Sequence, residues 1–130
     1  MIELDIVTPV KKLLEGAKVG EVRLPAIKGE VQILPGHTEL LTLLDTGILS
    51  FSLDGRERKF AISWGFAEIR MDRVIVLAET AEDSSGIDLG RAKAAQKKAE
   101  ETLTEVLPEG NFKKYQLKLQ RAIIRQKVVG

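Results

Sequence analysis

The stretch AEDSSGIDLGRA, residues 81–92, marks the point where the chain stops reading as strand and starts reading as helix. Upstream of it the apolar residues recur with period two. Ile2, Leu4 and Ile6 alternate with Glu3 and Asp5, which predicts one buried face and one wet face. Leu49, Phe51 and Leu53 alternate with Ser50 and Ser52 and run into Asp54-Gly55, a dipeptide suited to the positive φ values of a type I′ turn. Phe60 and Ile62 resume the alternation on the return strand. A second hairpin is predicted at Met71-Asp72-Arg73, leading into VIVLA at 74–78. Short strands closely spaced between turn signals read as an antiparallel sandwich or barrel.

Downstream of Ser84-Ser85-Gly86 the period becomes helical. Ala92, Ala95, Ala99, Leu103 and Val106 fall on one face, opposite Lys and Glu. Pro108-Glu109-Gly110-Asn111 breaks the pattern, and a second helix follows. The expected helices span about 88–106 and 112–128, joined as an antiparallel hairpin. On the second, Phe112, Tyr115, Leu119, Ala122 and Ile123 form one apolar stripe, and Leu117, Ile124 and Val128 form another more than 90° away. One stripe can pack on the first helix. The other needs a further surface, either the sandwich or another protein chain. The predicted organisation is a β-sandwich over residues 1–84 and a helical hairpin over 85–130.

A chain of 130 residues can bury a core without staples, and the absence of Cys removes disulfides, thiolate metal sites and thiol nucleophiles together. No apolar run approaches the roughly 20 residues of a membrane span, and MIELDIV lacks a signal-peptide pattern. The formal charge of +1 hides an asymmetry. Residues 1–88 hold ten basic and fifteen acidic side chains, whereas residues 89–130 hold ten basic and four acidic. The last twenty residues carry six basic side chains and no acidic one. That tail reads either as a solvated helix face or as a surface for an acidic partner. Nucleic acid is disfavoured, because aromatic residues make up only 5% of the chain and are not interleaved with the basic ones.

Catalytic chemistry has few candidates. There is no GxxxxGK[ST] loop, and His37 is the only histidine, which removes His-rich metal sites and disfavours a Ser-His-Asp triad. His37, in ILPGHTELL, reads as a turn histidine hydrogen-bonded to backbone. Trp64 reads as core or interface, and the neighbouring Gly65 as a bulge or a close backbone approach. The remaining chemistry is charge. Arg121 and Arg125 share a face of the second helix at i and i+4, and Arg91 and Lys98 share an edge of the first. If those edges meet, four cations converge, and an anion such as a polyphosphate would relieve their repulsion. Alternatively they are solvated, or pair with Glu101 and Glu105. Asp88 likewise has two readings, as a cap for the coming helix or as part of a ligand site. From the residues alone, a free-standing sandwich module with a basic tail also stays open.

The blocks DIVTP (5–9), GEVQILPGHTELLTLLDTGIL (29–49) and GFAEIRMDRVIVLAETAE (65–82), followed by two helices, resemble the epsilon subunit of bacterial F-type ATP synthases over nearly the whole chain. Ala26, Gln32 and Trp64 depart from the residues usual in that family. The resemblance implies a sandwich of about ten strands, a helical hairpin and a non-catalytic role in the central stalk. It implies the gamma subunit and the c-subunit ring as partners of the sandwich, with Glu30, His37 and Thr38 in the region facing them. It further implies coupling of proton or sodium flow to ATP synthesis, and restraint of ATP hydrolysis by a hairpin that extends toward the alpha and beta subunits, where acidic beta segments meet the basic helix. The expected place is peripheral, on the cytoplasmic side of the bacterial inner membrane, attached only through the complex. No cofactor is required, but ATP, with or without magnesium, is an expected regulatory ligand. Ile87-Asp88-Leu89-Gly90-Arg91-Ala92 matches the family's I/L-D-x-x-R-A motif. Glu82, Arg121 and Arg125 match its supporting acid and arginine pair, and Lys98 stands where some members have Arg. Lysine keeps the charge there but loses the planar two-pronged fork.

Overall fold

A computed structural model describes residues 1–86, 89–103 and 111–129. Eight strands come first: β1 (Ile2–Val7), β2 (Lys12–Val19), β3 (Val22–Ala26), β4 (Gly29–Ile33), β5 (Leu40–Leu44), β6 (Gly47–Leu53), β7 (Arg56–Arg70) and β8 (Arg73–Asp83). A 3₁₀ turn at Ser84–Gly86 leads to helices α1 (Leu89–Leu103) and α2 (Asn111–Val129). Val106 and residues 108–110, part of the predicted helix end and turn, lie outside the described residues.

Eight continuous strands build two layers because the two longest serve both. Residues 73–77 of β8 pair with β1, and residues 65–69 of β7 pair with β5, in one layer. Residues 56–62 of β7 pair with β6, which continues to β3 and β4, in the other. Counting the halves of β7 and β8 separately gives five segments per layer, in keeping with the ten or so strands expected. The core between the layers contains Ile2, Leu4, Ile6, Leu24, Leu49, Phe60, Ile62, Ile69 and Val74, the inward set that period-two alternation prescribes.

Both predicted hairpins turn where expected. Asp54 (φ 52°) and Gly55 (φ 76°) close β6–β7, and Met71 (φ 46°) and Asp72 (φ 62°) close β7–β8. Two central residues with positive φ are what a two-residue turn needs to match the strand twist. Gly65 is a close approach rather than a bulge. A Cβ there would lie 1.9 Å from the Leu77 carbonyl oxygen, and the β7–β8 register runs through it without a shift.

Two residues are placed otherwise than the patterns predict. Asp5 is not on a wet face but 7% exposed. Register irregularities in β1–β2 bring Gly16 N–H to its Oδ1 at 2.5 Å, and Arg73 Nη2 reaches Oδ2 at 2.9 Å, so the charge is buried with partners. Ala95, expected on the apolar stripe of α1, is exposed. The seam runs instead through Ala92, Gln96, Ala99 and Leu103, the spacing that keeps a stripe on a partner helix, and Gln126 of α2 donates to Gln96 across it. Trp64, for which core and interface were both open, is half-exposed on the outside of the sandwich, which excludes the core alternative.

The two stripes of α2 are separated by destination. Ala122, on the first, is buried. Ile124 and Val128, on the second, pack against Ile48 and Ala61 of β6 and β7. The further surface is therefore the sandwich itself.

Candidate functional site

The junction between sandwich and hairpin is built by two adjacent carboxylates at the end of β8. In a strand, neighbours point to opposite faces. Asp83 accepts the Ser85 N–H at 3.2 Å and pairs with Arg58, whose guanidinium lies 5.7 Å and 5.5 Å from the ring centres of Phe51 and Phe60. Burial alone would raise the Asp83 carboxyl, but the Ser85 N–H and Arg58 outweigh it and hold it below the usual carboxylate range. Glu82 faces α2 instead. Its Oε2 accepts from Arg125 Nη2 at 2.7 Å and Nε at 3.0 Å.

Beside that pair lies a cleft of about 160 Å³ between α2 and the sandwich, lined by Thr46, Ser63, Thr80, Glu82, Arg121 and Arg125 among others. Its polar lining combines three hydroxyls, one carboxylate and two guanidinium groups. Glu82 offsets Arg125, while Arg121, one turn earlier and exposed, has no ion pair among the described residues. Thr46 and Ser63 are buried hydroxyl-bearing residues on the sandwich wall.

Of the residues proposed from sequence, the fold brings Glu82, Arg121 and Arg125 to this cleft. Ala92 is buried within the hairpin, and Arg91 and Lys98 are exposed on α1; none of the three is among the cleft's lining. Ile87 and Asp88 lie outside the described residues. Glu30, at the start of β4, is exposed with its Oε1 3.8 Å from Arg23 Nε. His37 follows β4, its backbone N–H donating to the Leu34 carbonyl at 3.1 Å and its Nδ1 lying 2.7 Å from the Thr38 carbonyl oxygen, and Thr38 is exposed. The turn-histidine reading is what the fold shows.

Thr46, Ser63 and Thr80 were not legible as site residues, because no motif marks them and only the fold brings them opposite α2. A second surface was also missed. Leu41, Leu43, Trp64, Phe66 and Leu77 are exposed large apolar residues on β5, β7 and β8. Most of them line an open cleft of about 590 Å³, together with residues of the β1–β2 turn, and contiguous apolar surface of this kind marks interaction sites. The available signal was LLTLL at 40–44, apolar on both faces of one strand.

Residues 1–84 match the family model described as ATP synthase, Delta/Epsilon chain, beta-sandwich domain, and residues 85–130 match that of its long alpha-helix domain. The chain belongs to the delta/epsilon chain family of ATP synthases. It is 45% identical over 130 residues to the ATP synthase epsilon chain of Trichlorobacter lovleyi, covering 99% of this chain and 94% of that one. To the epsilon chain of Geotalea daltonii it is 43% identical with the same coverage. In fold it is similar to a chain in the Euglena gracilis mitochondrial ATP synthase, solved as OSCP, F1 and c-ring (TM-score 0.88, 21% identity, 99% of this chain and 81% of that one). A chain of the Tetrahymena thermophila mitochondrial central stalk and c-ring is also similar (TM-score 0.66, 14% identity, 99% and 96%). In this family the chain's place is that of a non-catalytic stalk subunit, in agreement with the poverty of catalytic side chains in its sequence. No helix among the described residues is long and apolar enough to cross a membrane.

Proposed function

We propose that the chain works as the central-stalk rotor subunit of a bacterial F-type ATP synthase, peripheral on the cytoplasmic side of the inner membrane, coupling ion flow to ATP synthesis. Its hairpin restrains ATP hydrolysis and senses ATP. The observation that carries this reading is the way α2 docks. Among the described residues its contact with the sandwich includes the apolar side chains Ile124 and Val128 and the ion pair Arg125–Glu82, with Arg121 beside a cleft. A contact whose ion pair is part-exposed to solvent suits a hairpin that exchanges the sandwich for another partner. The basic face of α2 suits acidic segments of the beta subunits once the hairpin extends toward alpha and beta.

The cleft is smaller than the 300 Å³ or so at the low end of small-molecule sites, so it accepts the phosphate end of a nucleotide rather than the whole. The sugar and base then fall to the 87–92 motif, with Arg91 and Lys98 of α1 adding charge if the hairpin tightens around the ligand. The exposed apolar face of β5, β7 and β8 is the better surface for the gamma subunit, since Leu41, Leu43 and Phe66 offer the hydrophobic area that Glu30, His37 and Thr38 lack. The start of β4 and the loop after it, which carry those three residues, are left for the c-ring.

Calorimetry of the full chain with ATP, with and without magnesium, tests the sensor. Binding that is lost in Arg121→Ala or Arg125→Ala supports it; absence of heat at millimolar ATP removes it. A second reading keeps the stalk role without nucleotide, and it is favoured by Glu82, which already neutralises Arg125. Association with gamma and the catalytic hexamer tests both readings, because a chain that never joins them has neither role.

A further inference from the structure

Thr46, between β5 and β6, is 8% exposed, and its Oγ1 is a buried side-chain atom without a hydrogen-bond partner among the described residues. Its backbone is firmly set. Asp45 N–H donates to the Pro25 carbonyl at 2.9 Å, and Asp45 Oδ1 accepts the Thr46 N–H at 2.7 Å. Gly47 follows where a Cβ would lie 2.6 Å from Pro25 Cβ, so the chain has no slack there. A hydroxyl buried without a partner is unfavourable, and native folds rarely retain one without a reason. This one belongs to a residue lining the cleft that also holds Arg121. Thr46 on the sandwich and Arg121 on the hairpin, which has no ion pair among the described residues, thus border one space of small-anion size.

We propose that Thr46 is a ligand-binding residue of the sandwich, donating from Oγ1 to a phosphate oxygen held on the other side by Arg121. The proposal rests on the nucleotide reading above and adds to it a contact outside the helical motif. Rotation of Thr46 between staggered χ1 wells is the movement the contact needs. A phosphate bound in this way touches both domains at once. Ligand affinity and hairpin docking then become linked, since the complete receptor exists only while α2 lies on the sandwich.

The test is calorimetry and thermal melting of the full chain with ATP, using wild type, Thr46→Val and Thr46→Ser. Valine keeps the shape and removes the hydroxyl; serine keeps the hydroxyl. The expected result is about tenfold weaker ATP binding in Thr46→Val, near-normal binding in Thr46→Ser, and a ligand-free Tm in Thr46→Val no lower than wild type. Wild-type affinity in Thr46→Val overturns this inference and leaves the nucleotide reading standing. A lowered ligand-free Tm in Thr46→Val also overturns it, because the hydroxyl is then satisfied inside the protein. If wild type itself binds no ATP, both readings fail together.

Discussion

Arg125 holds Glu82 through two nitrogens on a single carboxylate oxygen, at 2.7 Å and 3.0 Å, and so ties the second helix to the last strand of the sandwich. Each side chain is 37% exposed, so solvent screens the pair and its net worth is about 0–1 kcal/mol. Glu82→Gln is therefore expected to loosen hairpin docking without unfolding either part. Fluorescence transfer between labels on β4 and α2 should fall, and added salt should bring wild type toward the mutant. An efficiency indifferent to both changes would mean that the pair plays no part in docking.

Val128 and Ile124 make the apolar part of the same contact. Truncating Val128 to Ala should weaken docking by about 1–2 kcal/mol, less than a central core deletion because the site is small and peripheral. Hydrogen exchange should quicken in α2 while β1, β7 and β8 keep their protection. Equal loss of protection in both parts would show that sandwich and hairpin unfold as one unit.

Asp5 gives the sandwich a dependence on acid. Burial alone would raise its carboxyl, but the Arg73 hydrogen bond and the Gly16 N–H outweigh that and hold it below the ordinary value. The ionised form is thus favoured by folding. The stabilisation is fully present above the unfolded-state pKa of about 3.9 and is lost as pH falls through the lower folded-state value. Asp83 contributes with the same sign. Denaturant midpoints should drop below about pH 4 in wild type and drop less steeply in Asp5→Asn, which should also be weaker at pH 7 because Arg73 loses its ion-pair partner. Parallel pH profiles would rule out this role.

Gly65 has no tolerance for a side chain. Its φ of 146° lies outside the range of ordinary residues, and the Leu77 carbonyl would lie 1.9 Å from the added carbon. Gly65→Ala should destabilise the sandwich by about 3 kcal/mol or more, since both backbone strain and overpacking act at once. A near-native melting temperature would mean that β7 and β8 can part there at little cost.

Ile2, Leu4, Ile6, Leu49, Phe51, Phe60 and Ile62 are buried where alternation places them. Period two needs only local geometry, because each Cβ points to the face opposite its neighbours. The hairpin turns were legible for the same reason. Of the candidate cleft, Arg121 and Arg125 were legible as charges on one helix face, and Glu82 only through the family resemblance. Thr46, Ser63 and Thr80 were not, since hydroxyl residues on strands are commonplace and acquire meaning only from what faces them.

The sequence by itself determined the change of period after residue 84, the two-stripe character of α2 and the concentration of positive charge at the end of the chain. Each is a property of local spacing and composition. The tertiary structure alone decided which surface takes Ile124 and Val128, that Asp5 is buried with Gly16 and Arg73, and that Glu82 meets Arg125 across 43 positions. Those facts depend on contacts between segments remote along the chain. Burial and pairing there are settled by how two layers and a hairpin fit together in space, a relation that no periodicity encodes.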